Sequence, residues 1–127
     1  MVVIDSCVWI EYFRSGKGKI FDVVDQLIDQ NNVSSLGIIE LELFQGAFVK
    51  ERKILSDLFK ELHFLEMRRS DYIEAGKLLF DLRKKGITLP PSDGMIATVC
   101  IRSKSQLLTF DNHFKSIEEL ELVNTSR

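Results

Sequence analysis

Cysteine and histidine are scarce in this chain, two of each in 127 residues. Cys7 and Cys100 lie far apart and form no C-x-x-C pair, so reduced, buried thiols in a cytoplasmic protein are expected. His63 and His113 have no partner at metal-binding spacing and are not read as ligands. No apolar run approaches the roughly 20 residues of a membrane span, which argues against a membrane protein. The opening MVVID has neither the basic stretch nor the long apolar stretch of a signal peptide and reads as a strand. Excess positive charge is also lacking. A formal net charge of -2 argues against binding nucleic acid by bulk charge, but leaves room for a local basic rim around an acidic site.

What is present is a foldable amphipathic chain, 45% hydrophobic and 28% charged. It shows no repeats, low-complexity segments or linker, so residues 1–127 are expected to form one domain. Short apolar runs predict strands at Val2–Ile4, Val33–Ser35, Phe64–Leu65, Gln106–Phe110 and Leu120–Val123. Helical spacing predicts helices from Ser6 to Phe13, from Ile20 to Ile28, from Ile38 to Val49 with a break near Gly46 or shortly after, and from Lys53 to Leu62. Ser70–Lys85 follows, with Ser70 as its cap and Gly86 as its stop, and another helix begins near Met95. A short helical turn is expected over Asp111–Ile117. LPPSD, at positions 89–93, reads as a turn. Strands alternating with helices indicate an α/β fold with a mainly parallel sheet, in which ligands bind outside the carboxyl ends of the strands.

Acids fall where that rule directs attention. Asp5 directly follows VVI, and Asp111 follows LLTF. Asp93 opens a helix, and Glu42 lies just after the second strand. Glu40 and Glu42 are about 200° apart on a helix, so only one of them can face a given site. Glu42 lies between Ile38 and Ile39 on the wheel, with Gly46 four residues on, and is the better candidate. Each Asp can also be read as a helix cap, and Glu42 as a solvated residue. As a set they mean more. Two carboxylates about 4–5 Å apart cost about 3–4 kcal/mol at an effective dielectric near 20, so a cluster needs protons or a cation. An oxygen-only set without His or Cys suits Mg²⁺ or Mn²⁺. Capping accounts for at most three of the four. Ser6 is expected to cap the first helix, which would free Asp5 for metal.

At these residues the chain resembles the PIN domain, in particular the VapC-type toxins of type II toxin–antitoxin pairs. Four pieces carry the resemblance in the family's order: Asp5-Ser6-Cys7-Val8-Trp9, Glu42-Leu43-Phe44-Gln45-Gly46-Ala47, Asp93-Gly94-Met95-Ile96-Ala97, and Thr109-Phe110-Asp111-Asn112-His113-Phe114. The resemblance implies a three-layer α/β/α sandwich, Mg²⁺- or Mn²⁺-dependent endoribonuclease activity, inhibition by a cognate antitoxin, and homodimerisation. Cys7 stands where the family often has Ser or Asn, and His113 where an acid is common, so no fifth acid is counted.

In that reading Asp5, Glu42, Asp93 and Asp111 hold one or two divalent ions, partly through water, for hydrolysis of RNA phosphodiester bonds. Ser6 and Thr109 are auxiliary hydroxyls. Arg14, Lys17, Lys19, Arg83, Lys84 and Lys85 are candidate RNA contacts, though such runs also serve as plain solvated surface. Trp9, Tyr12 and Phe13 read as packing. Phe44, Phe48, Ile54, Leu55, Leu58 and Phe59 exceed what one small core needs, so some of them would line a groove for an antitoxin helix. Rival readings are a non-catalytic PIN-like module acting by protein contact, and an Asp-based phosphotransfer domain. The latter would need a paired acid beside Asp5, and none is there.

Overall fold

The structure, a computed structural model, describes residues 1–125; the last two residues of the expected domain lie outside the described residues. The apolar run Val2–Ile4 forms β1, buried along its whole length. Val33–Leu36 forms β2, His63–Leu65 β3 and Gln106–Leu108 β4. All pairings are parallel, in the order β3-β2-β1-β4. Helix pairs connect successive strands: Ser6–Ser15 (α1) and Lys19–Asp29 (α2), Gly37–Gly46 (α3) and Val49–Lys60 (α4), then Arg69–Lys84 (α5) and Pro91–Ser103 (α6). Right-handed crossovers put α1 to α4 on one face as the chain steps from β1 to β3. They put α5 and α6 on the other face as it returns past β1 to β4. The result is the three-layer α/β/α sandwich expected of this sequence.

This winding has a consequence for function. Its direction reverses between β1 and β4, which opens a crevice at the carboxyl ends of those two strands. The floor is rigid. Val3, Ile4, Leu107 and Leu108 are at most 1% exposed, and Trp9 and Phe114 are as deeply buried on either side. Trp9 meets Phe59 edge to face at 5.5 Å and stacks on Phe13 at 5.8 Å, so α1 and α4 share an aromatic core. The Tyr12 hydroxyl donates to Asp25 at 3.0 Å and ties α1 to α2.

On the opposite face α5 and α6 run antiparallel. Arg102 near the end of α6 bonds Asp71 near the start of α5 at 2.7 Å. At their other ends Gly94 meets Leu79 so closely that a Cβ on Gly94 would lie 2.8 Å from that side chain. The carboxyl end of α5 therefore lies beside the amino end of α6.

Several expected boundaries move. The helix expected near Met95 begins at Pro91, because a proline at the first helical position sacrifices no hydrogen bond and has its φ preset. Asp93 lies inside the first turn and is not the cap. Ser70 is not the cap of α5 either. Arg68 holds that position, and its backbone N–H donates to the Asp71 carboxylate at 2.8 Å. The expected strand at Leu120–Val123 reduces to a single parallel bridge between Leu107 and Leu122. β4 ends at Leu108, before Thr109 and Phe110.

Candidate active site

Asp5 leaves β1 with an extended backbone, and its carbonyl accepts the N–H groups of Val8 and Trp9 to start α1. Its Oδ1 accepts the Ser6 backbone N–H at 2.8 Å. Asp5 is thus the cap, and Ser6 is the first residue inside the helix, contrary to the expected division of labour. A carboxylate has acceptor capacity to spare. Oδ2 turns the other way, toward β4, and accepts the Thr109 hydroxyl at 2.7 Å, with the Cys7 sulfur at 3.7 Å.

Thr109 reaches Asp5 because β1 and β4 pair in register through Ile4 and Leu108, and the Asp5 N–H donates to the Leu108 carbonyl. The single hydroxyl proton of Thr109 goes to Asp5. Its oxygen accepts the Asp111 backbone N–H at 3.0 Å. One hydroxyl therefore links the two acidic segments that follow adjacent strands. Asp111 accepts the His113 backbone N–H at 2.9 Å and caps a 3-10 helix over Asn112–Ser116. Fully buried Phe114 anchors that helix. The His113 ring lies 3.1 Å from Asp111.

Glu42 comes from α3 and Asp93 from α6. Burial, then the charge of Asp5, raises the Glu42 pKa, while hydrogen bonding by the Ser6 side chain opposes the rise. Its Oε1 is buried and, among the described residues, has no hydrogen-bond partner. Glu40 is engaged elsewhere, accepting the Ser35 hydroxyl at 2.7 Å. Asp93 is pushed up to about 6, by burial first and then by Asp5, Asp111 and Glu42, with His113 acting in the opposite sense. All four predicted acids are thus brought around one crevice, where each of the other three raises Asp93.

The donor set fits a hard divalent cation. It is carboxylate oxygen throughout, and it contains a buried oxygen that has no hydrogen-bond partner among the described residues. Among the described residues no three His, Cys, Asp or Glu side chains converge closely enough to chelate one ion directly. Cys7 faces Asp5 and Thr109, and burial pushes its thiol above the ordinary value, so it stands there as a neutral S–H. Cys100 is fully buried and pushed up to about 12 by burial and then by the charge of Asp5. Both cysteines are free.

Beside Glu42 opens an apolar cavity of about 490 Å³ between α1, α3 and α4. Ile10, Phe13, Leu43, Ala47, Ile54 and Leu55 line it, with Arg14 at its wall. Of the residues expected in such a groove, Leu55 and Phe59 are buried, and Phe44 and Leu58 pack on the core. Phe48 and Ile54 are widely exposed. The sequence reading missed Ile10, although its helical spacing to Phe13 and Arg14 was visible. Among the described residues no helix is long and apolar enough to cross a membrane.

Comparison with known proteins agrees with this fold. The protein-family model described as "PIN domain" matches residues 2–120. A chain in the structure of VapBC2 from Rickettsia felis, bound to a DNA fragment from their promoter, superposes with a TM-score of 0.81 at 22% identity. That match covers 98% of this chain and 99% of the other. A chain of DNA-bound VapBC from Salmonella typhimurium gives 0.81 at 19% identity, covering 96% of each. FitAcB from Neisseria gonorrhoeae gives 0.70 at 19%, covering 98% of this chain and 97% of that one. At such identities the likeness establishes a shared fold. No curated protein matches the sequence significantly.

Proposed function

The chain belongs to the PIN-domain family, and from that premise we propose that it is a metal-dependent endoribonuclease toxin restrained by a cognate antitoxin. The observation that carries the reading is the buried Oε1 of Glu42, without a hydrogen-bond partner among the described residues, in a crevice where Asp5, Asp111 and Glu42 all raise Asp93. Such a group is costly to leave unsatisfied, and a cation resolves both the missing partner and the repulsion.

Asp5, Glu42, Asp93 and Asp111 would hold Mg²⁺ or Mn²⁺, which when bound supplies a lowered water pKa and charge stabilisation at phosphate. The residues of the chain do the positioning. Thr109 holds Asp5 in one orientation and the Asp111 backbone in another. The Cys7 thiol fills the remaining space beside Asp5 Oδ2. Ser6 hydrogen bonding favours the ionised form of Glu42. Arg14, which lines the groove with Glu42 and is ion-paired with Glu11, and Arg83, Lys84 and Lys85 at the end of α5 are candidate contacts for an RNA backbone. The apolar groove beside Glu42 is the proposed seat of an antitoxin helix. The VapBC relatives support that partner, and a homodimer is what the resemblance to VapC-type toxins implies.

Purified protein is expected to cleave tRNA or rRNA fragments with Mg²⁺ or Mn²⁺, to stop with EDTA, and to resume on adding metal back. Cleavage that survives EDTA would overturn the metal-dependent mechanism. No cleavage together with no Mn²⁺ binding would favour the non-catalytic PIN-like module.

The pH dependence of stability tests the site independently. The Asp93 pKa is raised in the fold, to about 6, from an unfolded value of about 3.9. The stability it contributes is therefore complete below about pH 4 and is lost as pH rises through 6. The metal-free protein should show a melting temperature that falls from pH 5 to pH 7.5, and Asp93→Asn should flatten the fall. Mn²⁺ should raise the midpoint more at pH 7.5 than at pH 5. An equal Mn²⁺ increment at both pH values would contradict a cation held by these acids.

A further inference from the structure

The stretch Lys77–Lys85, KLLFDLRKK, carries four basic residues and one acid in a chain of net charge -2. In its middle stands Phe80, 52% exposed on the outer side of α5. The Arg83 guanidinium lies 5.9 Å from its ring centroid and the Lys84 ammonium 5.4 Å. Among the described residues no carboxylate forms an ion pair with Arg83, Lys84 or Lys85. A shallow cleft lined by Ile73, Gly76, Lys77, Phe80 and Asp81 continues the surface along the helix.

This surface lies at the active-site end of the helix pair. Leu79, the residue before Phe80, packs on Gly94, the residue after Asp93. We infer that Phe80, with Arg83 and Lys84, forms a stacking platform that holds single-stranded RNA next to the acidic crevice. The inference rests on the ribonuclease reading above and adds a binding residue to it. An exposed aromatic ring accepts any base by stacking, and flanking cations take the adjacent phosphates. The contacts between the two cations and the ring are weak at an exposed site, so a phosphate can draw both cations away and free the ring face. A second copy of the chain is a poorer occupant. Two-fold pairing of this face would bring Arg83, Lys84 and Lys85 of the two copies toward one another, while Lys77 is already ion-paired with Glu74. The proposed homodimer would then use another surface.

The test is fluorescence anisotropy with a labelled single-stranded RNA of about 16 nucleotides, the upper end of a single-strand site. It uses the full chain carrying Asp93→Asn, so that binding is read without cleavage. Adding Phe80→Ala should weaken binding about tenfold, and Phe80→Trp should retain it. Phe80→Leu, which keeps apolar bulk without a π face, should behave like Ala. Replacing both Arg83 and Lys84 by Ala should reduce the slope of log affinity against log salt by about 1.4, two phosphates' worth. Unchanged affinity in Phe80→Ala with an unchanged slope in the double variant overturns the platform. So does the absence of RNA binding, or sedimentation showing that Phe80→Ala turns a dimer into a monomer. Retained, Phe80-dependent binding by a chain whose wild type cuts no RNA would overturn the nuclease reading and leave the platform standing.

Discussion

Asp5→Asn is expected to slow metal-dependent RNA cleavage at least about a hundredfold while leaving the fold intact, because the substitution removes charge without removing shape. Asp5 is 7% exposed and caps α1, and asparagine caps a helix as well as aspartate does. Its amide oxygen can keep the Ser6 N–H. The Oδ2 position becomes an NH2 group, which donates and cannot accept, so the Thr109 hydroxyl loses its acceptor and must turn its proton elsewhere. Against that loss, the negative charge that raises both Glu42 and Asp93 disappears. The two effects offset one another in stability, but both lower affinity for a divalent cation. Initial cleavage rates in Mn²⁺, beside circular-dichroism melts of both proteins, separate the roles. Equal cleavage by wild type and variant would remove Asp5 from the chemistry.

Arg102→Met is expected to produce the largest loss of stability, about 3 kcal/mol, without touching the acidic crevice. Asp71 is 2% exposed. Burial would push its carboxyl up, yet two bonds from Arg102, at 2.7 and 3.0 Å, and the Arg68 backbone N–H hold it below its ordinary value. Arg102 also donates to the Glu66 carbonyl at 2.8 Å, so it fastens the exit of β3 to the start of α5 and the end of α6. With methionine the volume remains but the charge is stranded. In the wild type, the pair's contribution is present above the unfolded carboxylate pKa and fades as pH falls through the lower folded value. In the variant burial, the largest of these influences, is opposed by Arg68 alone, so the folded pKa is expected above the unfolded one and the sign reverses. The deficit should then be larger at pH 7.5 than at pH 5 in urea unfolding. A deficit below about 1 kcal/mol, or one independent of pH, would show that water reaches Asp71 freely.

The strand runs VVI, VSSL and QLL were legible in sequence because parallel strands buried on both faces leave a continuous signal of small and apolar residues. The helices were legible for the complementary reason, a 3.6-residue stripe. Their ends were less so. Pro91 is equally at home in a turn and at the first position of a helix, and Asp71 competes with Ser70 to satisfy the same orphaned amides. Leu120–Val123 has the composition of a strand, but a single bridge to Leu107 is all that forms.

By itself the sequence determined the α/β class and the positions of Asp5, Glu42, Asp93 and Asp111 in four separate segments, since local patterning fixes what each segment is. Read alone, it assigned the cap to Ser6 and kept Asp5 for the site, as though one carboxylate could not serve both. Only the tertiary structure showed that the choice was unnecessary. Parallel pairing of β1 with β4 brings Thr109 to one carboxylate oxygen while the helix start takes the other. The same reversal of winding gathers acids from residues 5 to 111 around one crevice, because mutual repulsion and burial are properties of distance in space and have no counterpart in sequence separation.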